Sequence, residues 1–486
     1  MSIQVSPSPI PNPDEVGLTS VLADRDAYLT ELLNQCQGLN LQILEPEIVA
    51  WVQDVRDRAA TWARQYTMPT TRDEEWRFTD LSSVRQVNFR VVNGDAASSL
   101  SDNIAPLTLP EAAHRLVFVN GVYAPEASAV ADLPEQLVVS NLAGLPINYR
   151  SRVRDYLAEA EGSQEVFTAL NTAGLTDVAV VWVPKNLVVE TPIHLLFISG
   201  AGETPTISQP RCLVVAESGS QLTLIEEYTN RRDAESAAES LSGGFLRSEL
   251  SKREKEEEGV YFTNAVTEIW LEENAQVSHT RVERESVEAF HIGKSAIAQA
   301  RYSRYTCNAI TLGAKLSRHN LEIFQTGEQT ETTLNGLTMI ADRQLADTHS
   351  AINLNYPHST SRQLHKCIVA DRARAVFNGK VFVPKPAQLT DAGQLNRNLL
   401  LSPLARVDTK PQLEIIADNV KCSHGATVSQ LEQEEVFYLQ SRGLDETDAR
   451  NLLVNAFAAE IISQLPVASL RETLSKAVSN QRAAVS

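Results

Sequence analysis

Val369-Ala370-Asp371-Arg372-Ala373-Arg374-Ala375-Val376 and Leu401-Ser402-Pro403-Leu404-Ala405-Arg406-Val407 share one design: an apolar residue, several small or polar ones, then an apolar residue again. The same phrase stands earlier, at Val215-Ala216-Glu217-Ser218-Gly219-Ser220-Gln221-Leu222 and at Leu271-Glu272-Glu273-Asn274-Ala275-Gln276-Val277. The later copies fall roughly 30 residues apart, a period typical of solenoids. One such unit cannot bury its apolar side, whereas stacked units share a continuous core. A parallel β-helix fits this pattern best, with a β-sandwich as the structural alternative.

Outward from this core the patterning changes. Residues 1–110 read as an N-terminal helical domain and linker. It opens on Pro7, Pro9, Pro11 and Pro13, and Ile48, Trp51, Val52, Val55, Ala59 and Trp62 then form an amphipathic stripe. Around Arg72 to Leu81 the chain reads as a linker anchored by Trp76 and Phe78. The β-core spans 111–428, with a possible helix from Ile147 to Ala173 and two strands between Asp177 and Gly200. A charged insert at about 230–259, including Lys252-Arg253-Glu254-Lys255-Glu256-Glu257-Glu258, reads as a solvated loop. Residues 429–486 read as a C-terminal helical domain. Ser429 with Glu432 makes a capping box that predicts a helix from about Gln430. Gly443 can end it, and Asp445 can cap the next. Leu452, Leu453, Ala456, Phe457, Glu460 and Ile461 would form one wide face of that second helix. So short a helical tail must dock on the β-core or on a partner.

Composition narrows the function. The formal net charge of −18 opposes non-specific nucleic-acid binding, which depends on basic residues at phosphates. It also opposes attraction to an anionic membrane. No segment has the apolar length of a membrane span, and the N-terminus lacks a basic-then-apolar leader, so a cytoplasmic protein is expected. Five scattered cysteines (Cys36, Cys212, Cys307, Cys367, Cys422) match neither a disulfide framework nor a ferredoxin pattern. There is no phosphate-binding Gly-x-x-x-x-Gly-Lys-Ser/Thr loop, no Rossmann fingerprint and no nucleophile elbow. The residues therefore describe a large scaffold, expected not to be an enzyme. A polysaccharide-acting β-helix enzyme is the rival from another class.

One stretch stands apart in chemistry: Lys421-Cys422-Ser423-His424-Gly425-Ala426-Thr427. On a strand, Cys422 and His424 project from the same face. Thiolate and imidazole suit iron or zinc. Two ligands are too few for such a site, so the remainder would come from another strand or another chain. The bland alternative is a small core cysteine beside a satisfied histidine. His349, His358, His365 and Cys367 form a looser group with no compact metal spacing. His365 and Cys367 alternate as Cys422 and His424 do, so neighbouring rungs could align the two pairs.

Several blocks carry a family resemblance. They are Glu74-Glu75-Trp76-Arg77-Phe78-Thr79-Asp80-Leu81, Val376-Phe377-Asn378-Gly379-Lys380, Ala387-Gln388-Leu389-Thr390-Asp391-Ala392-Gly393-Gln394, Asn398 to Ser402, Pro411 to Ile415, the Cys422-Ser423-His424-Gly425-Ala426-Thr427 string, and Val436-Phe437-Tyr438-Leu439-Gln440-Ser441-Arg442-Gly443. Together they resemble the SufB/SufD family of the SUF iron–sulfur cluster assembly system. The Cys-Ser-His-Gly-Ala-Thr string favours the SufD branch over a sulfur-accepting SufB-like chain. Asn419 and Ser429 depart from the pattern without touching the Cys/His pair.

The resemblance implies a right-handed parallel β-helix between helical ends, and pairing with SufB through the β-helices. It further implies docking of the SufC ATPase on the C-terminal helices, through Phe437, Tyr438, Leu439, Arg442, Leu452 and Phe457. His424, with Cys422 beside it, would serve iron entry or cluster assembly at an interface shared with SufB. A cysteine desulfurase system would supply sulfur, and apo iron–sulfur proteins would receive the cluster. Iron or a cluster would be held only transiently in the complex, with no cofactor bound stably by this chain alone. Flavin binding and homodimer formation by the isolated chain are left open.

Overall fold

Strands of the central region alternate between two sheets, so that each turn of the coil adds one strand to each. The computed structural model describes residues 26–37, 39, 45–92, 104, 107–230 and 259–480. The N-terminal prolines and nearly all of the charged insert lie outside the described residues. Among the described residues one sheet has 11 strands and the other 10, and neighbours along the coil are parallel from Gln221–Asn230 onward. Glu331 lies opposite Thr360, Thr360 opposite Asp391, and Asp391 opposite Lys421. The sequence period is therefore the length of one turn. The fold is a mainly β solenoid with helices at its termini, as the repeat predicts.

At one corner a regular device joins the turns. Asn274, Tyr302, Gln329, His358 and Leu389 all adopt left-handed backbone conformations, with φ from 57° to 62°. Each donates its N–H to a carbonyl of the following turn: Arg301, Glu328, Pro357, Gln388 and Asn419, at 2.7–3.1 Å. Non-glycine residues reach this region at a cost of the order of 1–2 kcal/mol. The recurring hydrogen bond, together with stacked sheet pairing, offsets it.

The interior is mixed along the coil. It is filled by apolar residues such as Leu195, Phe197, Val214, Leu224 and Ile269, and onward to Ile352 and Val381. The same turns also hold charges without solvent. The fully buried Glu226 carboxylate accepts from His279 Nε2 at 2.8 Å and Thr267 Oγ1 at 2.8 Å, and also from the Tyr228 hydroxyl. Burial alone would raise the Glu226 pKa, but His279, Arg281 and Tyr228 hold it at about 2. Burial would likewise lower His279, yet Cys307 and Glu226 push it up to about 9. Buried charges persist only when paired and hydrogen-bonded in this way.

Helices Pro46–Ala63 and Val166–Ala173 pack at the N-terminal side. The expected helix from Ile147 to Ala173 is instead three short pieces: Ile147–Arg150, the 3-10 turn Arg152–Asp155, and Val166–Ala173. Positive φ at Ala158 and Gly162 breaks it.

The Glu74–Leu81 stretch packs on the 11-stranded sheet, and nearly every residue has a partner. Trp76 is buried under the Arg318 guanidinium, 3.9 Å above its ring, and Arg374 lies 5.5 Å from the ring centre of the half-buried Phe78. Thr79 donates to Asp347 at 2.5 Å. Arg318 Nη1 donates to Asp347 Oδ2 at 2.6 Å and to the Glu75 carbonyl at 2.8 Å. His349 stands between Asp347 Oδ1 (3.0 Å) and Glu75 Oε2 (3.2 Å). Lys410, on the last strand of that sheet, pairs with Glu74 at 2.8 Å.

At the other terminus helices Glu446–Ile462 and Ala468–Asn480 pack on the outer face of the 10-stranded sheet. Val454, Ala458, Ile461, Leu470 and Leu474 meet Ile310, Leu337, Ile368 and Leu399. Asp445 caps the first of these helices, accepting from the Asp448 N–H at 2.8 Å, and Gly443 takes φ +97° just before it. Two expectations fail here. Ser429 lies inside strand Lys421–Gln430, so there is no capping box, and the helix starts at Gln433. Strand pairing with Asp391–Leu400 holds Ser429 extended and outweighs the local capping preference. The buried face of Glu446–Ile462 is centred on Val454, Ala458 and Ile461, which leaves Leu452 49% exposed.

Candidate functional site

The solenoid ends on two unpaired edges. Among the described residues, strand Arg406–Ile415 bonds only to Arg374–Val383, and strand Lys421–Gln430 only to Asp391–Leu400. Both are ten residues long and mostly solvent-accessible. Ile415, Ile416, Leu404 and Val428 are each at least 40% exposed at or near these edges. Long exposed edges are usually blunted or covered, because their free N–H and C=O groups template further pairing.

Cys422 and His424 sit on the second edge. Their register partners are Ala392 and Gln394, both buried and on the interior-facing side. The two side chains thus share one face, as the two-residue spacing requires, and it is the face that would look inward if another turn followed. Cys422 is half-buried against the interior apolar residues, and His424 is exposed. Partial burial raises the Cys422 thiol above its usual range, and the nearby Asp391 charge adds to this. The thiol is therefore protonated at neutral pH until a metal or a cationic neighbour favours the thiolate. Among the described residues no group of three or more His, Cys, Asp or Glu side chains could hold a metal ion.

The looser histidine group does not assemble. His349 is on the outer face with Glu75 and Asp347, while His358 occupies a left-handed corner. His365 and Cys367 are interior. His365 Nε2 lies 3.1 Å from Thr338 Oγ1, its ring stacks on Phe377 at 4.9 Å, and burial lowers its pKa to about 4. The expected alignment with the terminal pair is absent. His365 and Cys367 register with Asn396 and Asn398, and through them with Ala426 and Val428.

The residues read as a docking surface divide in two. On helix Gln433–Gln440 only Val436 is buried. Phe437 is 70% and Tyr438 58% exposed, with Arg442 5.3 Å over the Tyr438 ring. Leu439 is half-buried. Phe457 faces the solenoid, where the buried Lys366 ammonium lies 4.2 Å from its ring centre and donates to its carbonyl at 2.9 Å. Sequence reasoning missed this Lys366 contact and the charged interior. Lys366 and Phe457 are 91 residues apart, and Glu226 and His279 lie on neighbouring turns, so neither pairing has a local signal.

The structure is thus a parallel solenoid whose open edge carries Cys422 and His424, with an exposed aromatic pair beyond it. The SUF system FeS cluster assembly SufBD core domain matches residues 197–457, and the SufBD protein N-terminal region matches residues 28–195. The chain is 46% identical to an iron–sulfur cluster assembly SufBD family protein of Synechocystis, over 95% of this chain and 98% of that one. It is 35% identical to the chloroplastic protein ABCI7 of Arabidopsis thaliana, covering 87% and 84% of the two chains. With the iron–sulfur cluster assembly protein SufD of Escherichia coli it shares 32% identity, over 83% and 87%. The chain belongs to the SufB/SufD family, and its role lies in iron–sulfur cluster assembly by the SUF system. Among the described residues no helix is long and apolar enough to cross a membrane.

Proposed function

We propose that this chain is a SufD-type, non-catalytic cytoplasmic scaffold subunit. It pairs with a SufB solenoid through its open end and carries the SufC ATPase on its C-terminal helices. The observation that carries this reading is the pair of free parallel edges bearing half-buried Cys422 and exposed His424. A second solenoid laid against them would pair the free backbone groups, cover the exposed apolar residues and supply the missing ligands. Iron or a nascent cluster is then cargo held at the junction, with His424 and Cys422 as this chain's share. Sulfur from a cysteine desulfurase reaches the same junction, and apo-proteins take the finished cluster. In isolation, a second copy of this chain would cover the same edges. Helix Gln433–Gln440 follows directly after the edge strand, so ATP-driven movement of SufC would be felt at His424.

Anaerobic co-purification with SufB and SufC, followed by iron and sulfide analysis, tests this reading. His424→Ala is expected to leave the three-protein complex intact and to lower bound iron and sulfide about tenfold or more, as loss of a metal-site residue does. An unchanged cluster yield removes His424 from the site. Phe437→Ala with Tyr438→Ala should leave the melting temperature unchanged, because both rings are solvent-facing. The same pair should weaken SufC capture by roughly 30-fold, as loss of an aromatic anchor worth about 2 kcal/mol does. Undiminished capture would place SufC elsewhere.

A further inference from the structure

Three of the family blocks meet behind His424. Gln394 is its register partner, from Ala387–Gln394, and Gly379, from Val376–Lys380, lies across the interior. Gln394 is 3% exposed. Its Nε2 donates to Gln363 Oε1 at 2.8 Å, and Gln363 Nε2 donates in turn to Ser350 Oγ at 2.8 Å. A Cβ at position 379 would stand 2.2 Å from Gln394 Nε2, so the glycine makes room for this amide. The amide is held from two sides, yet Gln394 Oε1 has no hydrogen-bond partner. Buried acceptors without a donor are rare and costly. Nε2 is spent on the preceding turn, and the following turn brings His424 into register beside Gln394.

Resting on the reading of His424 given above, we infer that Gln394 is a positioning residue. Its Oε1, unpartnered here, would take the His424 ring N–H as its donor and so decide which ring nitrogen carries the proton, leaving the other free for a metal. Metal-binding histidines characteristically donate their second N–H to such an acceptor, which fixes tautomer and ring orientation. The Ser350–Gln363–Gln394 chain sets the direction of the amide, and Gly379 admits it.

The test uses the full-length chain with 15N-labelled histidine, His424 being assigned by its loss in His424→Ala. A second arm titrates the assembled SUF complex with Co(II) as probe. Wild type should show one dominant His424 tautomer, and Gln394→Met a mixture. Gly379→Ala, which displaces the amide without altering any atom of Gln394, should show the same mixture. Both variants should bind Co(II) about 10–100-fold more weakly. Gln394→Glu keeps an acceptor and should restore the single tautomer and the affinity. If Gln394→Met does not fold, Gly379→Ala decides. An unchanged tautomer in these variants, or a folded Gln394→Glu as impaired as Gln394→Met, overturns the inference. Co(II) binding untouched by His424→Ala would instead sink the iron-binding reading, and the tautomer result then judges Gln394 by itself.

Discussion

Asp347→Ala is expected to cost about 3–5 kcal/mol of stability, the usual penalty for removing one partner of a buried ion pair. Asp347 is buried, and burial alone would raise its pKa, but Arg318 and His349 hold it below the usual carboxylate range. Its loss leaves the 2%-exposed Arg318 with the Glu75 carbonyl and Asn320 as its remaining close oxygen acceptors. It also removes the acceptor of Thr79 and one of the two carboxylates flanking His349. Because all these groups bridge Glu74–Leu81 to the solenoid, that stretch should release first. Trp76 fluorescence during denaturant unfolding would report an early phase absent from wild type. Thr79→Val, which deletes one hydrogen bond, should cost only about 1 kcal/mol. A loss below that figure for Asp347→Ala would mean the network is not what holds the stretch down. The brace also has a pH sense. Burial would lower His349, but Asp347 and Glu75 raise it. Its contribution is fully present below the ordinary histidine value and is lost as pH rises through the elevated one.

Glu226→Gln should be comparably damaging at neutral pH, about 3–5 kcal/mol, since it strips the countercharge from a fully buried His279. Its signature is the pH profile. The folded pKa of His279 is raised from 6.5 to about 9, so its contribution is complete below 6.5 and disappears as pH rises through 9. Glu226, lowered from 4.5 to about 2, contributes above 4.5 and loses that contribution as pH falls toward 2. Two interior neighbours have the opposite sense. Burial raises Glu285 to about 8 and lowers His291 to about 3. The first costs stability as pH climbs from 4.5 to 8, and the second as pH drops from 6.5 to 3. These four groups taken together predict a plateau near pH 4.5–6.5 and a decline toward pH 9. In Glu226→Gln the His279 share of the alkaline decline should vanish, leaving a shallower fall complete by about pH 8. Thermal melts across this range check it, and parallel profiles for the two proteins would refute the pairing.

The solenoid was legible because each turn repeats one apolar phrase, and the register of Glu331, Thr360, Asp391 and Lys421 follows directly from that spacing. The shared face of Cys422 and His424 was legible for the same reason, a period of two along a strand. What a period of two cannot say is which face is inside. In Gln276–Arg284 the polar His279, Arg281 and Glu283 are buried to within 1%. Val282, on the opposite face, packs beneath the C-terminal helices. A reader of that strand alone would turn it inside out, since His279 finds its counterion on a neighbouring turn. The Ser429 capping box failed similarly, a local preference overridden by a strand partner 31 residues away.

The corner ladder makes length a quantised property. Each of the five left-handed residues of that corner hands its N–H to the corner one turn ahead, so the coil there can grow or shrink only by whole turns. A one-residue insertion within a strand would turn every later side chain on that strand to the wrong face, and would miss its corner carbonyl as well. The separation between the Glu74–Leu81 brace and the His424 edge can thus change only in steps of one strand spacing, about 4.8 Å. A partner matched to that edge meets a ruler with fixed graduations rather than a sliding scale.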